Sequence, residues 1–276
     1  MELKSFSDLE YIKWGKLSLS ELNQTPFIFL DKYWDEIQDK IEWTKFCEYE
    51  CAIPLIEKYW TQLINENKID WTFLCKNSAV IPLLEKHWNE IHDKIDWRTL
   101  INCNANAFDL IENHWDEFYN VLLTDNTNYI MYEICVYPCL WTYKLFDIFD
   151  KHWEQFKNVL NLENKSYINN WSHFCYSANS PYLIEKYWDE IQDNLHKHCW
   201  FALCANSHAF YLLDKYWDQL WEQNKIDLEN ICDCPIVCSI PLLEKHRTQV
   251  EPHLTRIMWN KLEMKGYSGL LQKPVY

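Results

Sequence analysis

The chain has 276 residues, with 26 Lys and Arg against 41 Asp and Glu, a net charge of −15, and 48% hydrophobic and 17% aromatic residues. So much apolar side chain excludes a disordered acidic tail. Nucleic acid is excluded as a direct partner, because phosphate backbones are held by clustered Lys and Arg and here the lysines recur singly beside acids.

No stretch approaches the roughly 20 consecutive apolar residues that span a bilayer, and Met1 to Asp8 alternate charge and polarity instead of forming a secretory signal. The expectation is a protein off the membrane, inside a cell or particle. In chain order, residues 1–21 are read as an N-terminal cap, formed by Ser5 to Trp14. Residues 22–262 are a single repeat array, and residues 263–276 a C-terminal tail. The array contains eight copies of one phrase: Phe29 to Trp34, Leu55 to Trp60, Leu83 to Trp88, Leu110 to Trp115, Ile148 to Trp153, Leu183 to Trp188, Leu212 to Trp217, and Leu242 to Arg247, where Arg replaces Trp. Such self-similarity is the signature of stacked repeats and predicts an all-α fold, an α-solenoid of about eight helix-turn-helix units.

Counting from the anchor Trp as zero, positions −5, −4 and +3 are apolar in every copy, position −3 is Asp or Glu, and +2 is Glu or Gln. Offsets −4, 0 and +3 fall on one helical face, so the phrase predicts one continuous leading helix with its polar positions turned away. Lys86 and Glu90 then form an i, i+4 pair. Pro54, Pro82 and Pro241, six residues ahead of the anchor, fit a first helical turn. A second aromatic follows at Trp43, Trp71, Trp97, Trp171 and Trp200. It predicts a short trailing helix, with Asp70 and Asp96 as N-caps and Asn104-Ala105-Asn106 and Asn206-Ser207 as breaks.

Anchor spacings of 26, 28, 27, 38, 35, 29 and 30 residues mark the fourth and fifth units as enlarged, around Tyr119 to Tyr129 and Lys157 to Asn170. These are read as loop insertions or lengthened helices. Pro252 to Lys265 closes the array. The three glycines, Gly15, Gly266 and Gly269, lie outside Lys16 to Lys265. Phosphate-binding glycine loops and dinucleotide fingerprints are therefore excluded.

Candidate chemistry is sparse. Cys47, Cys75, Cys175, Cys204 and Cys232 share position +4 of the trailing register and read as small core residues, in a reducing compartment. Cys232, Cys234 and Cys238, with His246, make the one dense set of potential zinc ligands, although the gap from Cys232 to Cys234 is tight. Cys47 with Cys51, and Cys135 with Cys139, lack a second half. His196-Lys197-His198-Cys199 reads as a solvated turn before Trp200. His87, His114, His152 and His246 alternate with Tyr33, Tyr59, Tyr187 and Tyr216 at position −1, which favours a flat amphipathic ring at a repeat boundary over imidazole chemistry. Gln replaces Glu at +2 in four copies, which argues against paired catalytic carboxylates. The Trps, in register with Leu and Ile, read as core. No catalytic or cofactor-binding residue is expected.

With Trp88, Asn77 to Pro82 (Asn-Ser-Ala-Val-Ile-Pro), Leu83-Leu84-Glu85 and Lys94 to Trp97 (Lys-Ile-Asp-Trp) in view, the chain resembles the tandem α-helical repeat proteins encoded by giant DNA viruses of the mimivirus type. The resemblance implies a viral, non-catalytic repeat protein of host cytoplasm or virion. The leading expectation is a protein-binding scaffold or adaptor with no cofactor. The alternatives are a minor virion or assembly component, and a metal-binding protein or enzyme using Cys232 to His246.

Overall fold

The structure, a computed structural model, describes residues 27–264 apart from 40, 126–128, 137–141, 162–169 and 194. The expected N-terminal cap over Ser5 to Trp14, Cys139, and the tail from 265 lie outside the described residues. All regular structure in the described residues is helical, in short segments, and none is a strand. No described helix is long and apolar enough to cross a membrane. The chain divides into two compact units, Met1–Phe118 and Tyr119–Tyr276, with helix Trp115–Thr124 carrying the chain across the division.

In the first unit the pattern is plainest between residues 53 and 103. Leading segments Ile53–Lys58 and Trp60–Asn65 are followed by trailing helix Trp71–Lys76; segments Ile81–Lys86 and Trp88–Ile91 are followed by Trp97–Cys103. Asp70 and Asp96 cap the trailing helices as predicted, their carboxylates accepting the backbone N–H of Phe73 and Thr99 at 3.1 and 3.0 Å. Pro54 and Pro82 sit in the first helical turn, where a missing N–H costs no hydrogen bond. In the second unit, Pro181–Lys186, Trp188–Ile191 and Lys197–Cys204 repeat the pattern, as do Phe210–Lys215, Trp217–Glu222 and Leu228–Asp233. The anchor indoles are core: Trp34, Trp60, Trp88, Trp115, Trp153, Trp188 and Trp217 are all buried, together with Leu84, Phe118, Phe156 and Leu220.

Four expectations are corrected. The leading helix is not continuous. It breaks at position −1 in every copy, where φ lies near −104 to −124° and ψ near 15 to 43°. In six copies the −1 ring is drawn across to the preceding repeat, as described below. For the same reason Lys86 does not pair with Glu90: its ammonium lies 2.6 Å from Glu57, one repeat earlier. Pro241 is not in a first turn but inside helix Ile236–Lys245, because Pro235 starts that helix early and no Asn breaks the run into the leading segment. His196 to Cys199 is not a solvated turn, since Lys197 opens helix Lys197–Cys204 and Cys199 is fully buried. The enlarged units do lengthen their leading helices, to ten residues in Trp115–Thr124 and eight in Trp153–Leu160.

Two turns show how the chain manages almost without glycine. Asn67 and Asn224 take φ of 52° and 54°. Each is the left-handed residue closing a Schellman cap, in which the next N–H reaches back five residues, Lys68 to Leu63 at 3.0 Å and Lys225 to Leu220 at 2.9 Å. Asn tolerates this conformation better than other residues bearing a Cβ.

Candidate functional site

Most side chains that the sequence offers for chemistry meet at the seams between consecutive repeats. The anchor indole of one repeat is stacked by the −1 ring of the next. Tyr59 lies on Trp34 (3.9 Å, 6°), His87 on Trp60 (3.9 Å, 21°) and His114 on Trp88 (3.5 Å, 16°) in the first unit. Tyr187 lies on Trp153 (4.1 Å, 3°), Tyr216 on Trp188 (4.0 Å, 6°) and His246 on Trp217 (4.1 Å, 11°) in the second. The boundary role expected for the Tyr/His position is therefore met. Each stacked pair adds about 0.5–1.5 kcal/mol beyond the area it buries. The trailing Trp meets the same indole edge-on, as Trp43 does Trp34 and Trp200 does Trp188.

The indole N–H has its own acceptor. Trp34 donates to Gln62 Oε1 (3.2 Å), Trp60 to Glu90 Oε2 (3.0 Å), Trp153 to Glu190 Oε2 (3.2 Å) and Trp217 to Gln249 Oε1 (2.8 Å). All four acceptors occupy position +2 of the following repeat. The −3 acid binds the next repeat's −2 and −1 side chains. Asp31 takes Lys58 and Tyr59, Asp150 takes Lys186 and Tyr187, and Asp214 takes Lys245 and His246, all within 2.5 to 2.8 Å. The Lys58 ammonium beside Asp31, with Tyr59, holds that carboxyl below its usual range. At Asp150 and Asp214 burial pushes upward, and the hydrogen bonds from Lys186 and Tyr187, and from Lys245 and His246, overrule it.

Sequence reasoning missed two parts of the seam. Buried Asn77, Asn104 and Asn206 lace each trailing-helix exit to the repeat before it. Asn77 Nδ2 donates to the carbonyls of Cys47 (2.9 Å) and Tyr49 (2.7 Å), and Asn104 to that of Asn77 (2.8 Å). Asn206 donates to those of Cys175 (3.1 Å) and Ser177 (2.8 Å). The second part concerns the +4 cysteines, which are buried as expected and three of which also accept a hydrogen bond. The backbone N–H of Asp227 lies 3.3 Å from Cys204 Sγ, and Asp70 and Asp96 donate likewise to Cys47 and Cys75. Burial pushes all three thiols up to about 12, so none is a thiolate at neutral pH. Asn recurring six or seven residues after the trailing Trp was the available signal for the first part; nothing in sequence signals the second.

The candidate zinc ligands have separate places in this scheme. Cys232 is the fully buried +4 cysteine of its repeat. Cys234 stands where other repeats have the lacing Asn, its thiol donating to the carbonyls of Ala205 (3.1 Å) and Cys204 (3.7 Å). Cys238 is half-buried within helix Ile236–Lys245, and His246 is committed to Asp214 and Trp217. No three His, Cys, Asp or Glu side chains among the described residues are grouped so as to hold a metal ion. No disulfide joins the described cysteines, of which only Cys103 is exposed.

Outside the seams, the described large apolar side chains most open to solvent are Tyr129, Tyr143, Tyr176, Tyr182, Tyr211, Ile257 and Met264, all in the second unit. The same unit holds a groove of about 830 Å³, lined among others by Lys197, Phe201, Trp221, Lys225 and Met258. No protein-family model, curated protein or solved structure matches the chain.

Proposed function

We propose that the chain is a non-catalytic, protein-binding α-solenoid: an acidic scaffold or adaptor of a giant DNA virus, working in the infected cell. The observation that carries this reading is the seam itself. Many of the rings, carboxylates and lysines that might otherwise do chemistry are spent holding one repeat to the next, by recurring bonds. The surface of the second unit also presents exposed aromatic side chains and a groove, features that suit a recognition surface.

Two measurements test the reading. A compact globule of this length has a radius of gyration of about 19 Å; a solenoid gives a clearly larger value in small-angle scattering, and a value at 19 Å overturns the architecture. Cross-linking capture from producing cells is expected to return a protein partner. Failure to recover any partner counts against the scaffold, and recovery at high abundance in purified particles replaces it with the virion-component reading. The metal alternative is decided by elemental analysis: stoichiometric zinc lost on Cys234→Ser would establish it.

A further inference from the structure

The groove in the second unit lies among the segment opening helix Lys197–Cys204, the turn before helix Leu228–Asp233, and helix Arg256–Met264. Its balance of uncommitted charge differs from that of the chain. Lys225 Nζ stands 4.5 Å from the ring centre of Trp200 and 3.4 Å from the carbonyl oxygen of Gln192. Lys197 Nζ stands 5.0 Å from that of Phe201. Neither has an ion-pair partner among the described residues. In the first unit the lysine at the same place in its repeat, Lys68, is neutralised by Asp39 at 2.9 Å and Glu66 at 2.7 Å. In the second unit Gln223 replaces that Glu. Burial pushes the Lys225 ammonium down, with only Asp193 acting the other way.

The groove's acids, by contrast, are occupied. Asp227 accepts the N–H of Asn230 at 3.0 Å, and Glu229 pairs with Lys261 at 3.1 Å. Where Asp70, Asp96 and Asp227 cap their helices, His196 precedes helix Lys197–Cys204, so this end of the groove has no carboxylate in the cap position. The partly open rings of Phe201 and Trp221 line the groove together with the two lysines and Met258, and supply apolar surface.

We propose that this groove is a docking site for an acidic peptide segment of a partner protein, its carboxylates taken by Lys197 and Lys225 and an apolar side chain by Trp221, Phe201 and Met258. The proposal rests on the scaffold reading and specifies its partner. Two lysines suit a short run of carboxylates; a nucleic acid strand needs a continuous cationic track, which a chain of net charge −15 does not offer here.

The test is fluorescence anisotropy with three labelled probes: a blocked octapeptide alternating acidic with Leu and Phe residues, the same peptide with every acid replaced by lysine, and octauridylate. The acidic peptide is expected to bind, more weakly as salt rises, and at least tenfold more weakly to the double variant Lys197→Glu, Lys225→Glu. Lys225→Gln is expected to give a smaller loss and, as a near-isosteric change, guards against an effect of misfolding, which circular dichroism also monitors. Lys86→Glu, in the first unit, should bind like the parent. No binding of the acidic peptide, equal binding by the double variant, or preference for either other probe overturns the proposal. Cross-linking capture of a partner that survives the double variant overturns the groove while leaving the scaffold intact. Groove-dependent peptide binding with no partner captured from cells supports the groove and counts against the scaffold.

Discussion

At position +2, Glu and Gln serve one purpose, because the indole above needs only an oxygen acceptor and both side chains carry one. Glu90→Gln is therefore expected to change stability by no more than about 0.5 kcal/mol. Trp88→Ala removes a side chain that is buried, stacked by His114 and met edge-on by Trp97. It should cost about 3–5 kcal/mol in urea unfolding, and a nearly silent result would contradict an internal role for the indole. The lacing position gives a second test. Cys234 has the donor of a weak S–H where Asn206 offers two amide hydrogens to carbonyls of the repeat before. Cys234→Asn, similar in volume, is expected to stabilise the fold by about 1 kcal/mol. A loss of stability instead would show that the thiol, not its hydrogen bonds, is what this site requires.

At the scale of the element, what was legible in the sequence followed from local periodicity, and what was not came from the neighbouring repeat. The apolar offsets located the buried face, and the Asp before Trp71 and before Trp97 located those two helix starts, because both depend on residues within two turns. The break at position −1 has no local cause: Lys58-Tyr59-Trp60 contains neither proline nor glycine, and only the stack on Trp34 and the bond to Asp31 explain it. The Lys86–Glu90 pairing failed for the same reason. The groove was hidden because Lys197 and Lys225 lie 28 residues apart and each looks like one more isolated lysine. Local chemistry still sets the cost of the caps. Asp70→Ala should lower stability by about 1 kcal/mol, whereas Asn67→Gly, at a left-handed φ of 52°, should be neutral or stabilising. Comparison of their melting temperatures checks both, and a large loss on Asn67→Gly would mean that its side chain, not its backbone, secures the turn.

For the whole molecule, two electrostatic effects oppose one another as pH falls. Net charge of −15 favours moving toward the isoelectric point near 5.1, where self-repulsion vanishes. The seam carboxylates favour the opposite. Glu57 is held low by Lys86, Glu90 by Trp60 and Glu190 by Lys157, as Asp31 is by Lys58. A folded-state pKa below the unfolded one stabilises the fold above about pH 4, where unfolded carboxyls titrate, and the contribution is lost as pH falls through the folded value. Lys58, Lys186 and Lys215 are raised by Asp31, Asp150 and Glu185, so their contribution holds below about pH 10 and is lost above it. At physiological salt the screening length is about 8 Å, which damps repulsion across the molecule far more than pairs in direct contact. Urea midpoints measured from pH 2 to 12 should therefore form a plateau between about pH 5 and 9, falling on the acid side below about 4. A maximum confined to pH 5, shrinking in 1 M NaCl, would mean that net charge governs this fold and that the seam pairs contribute little.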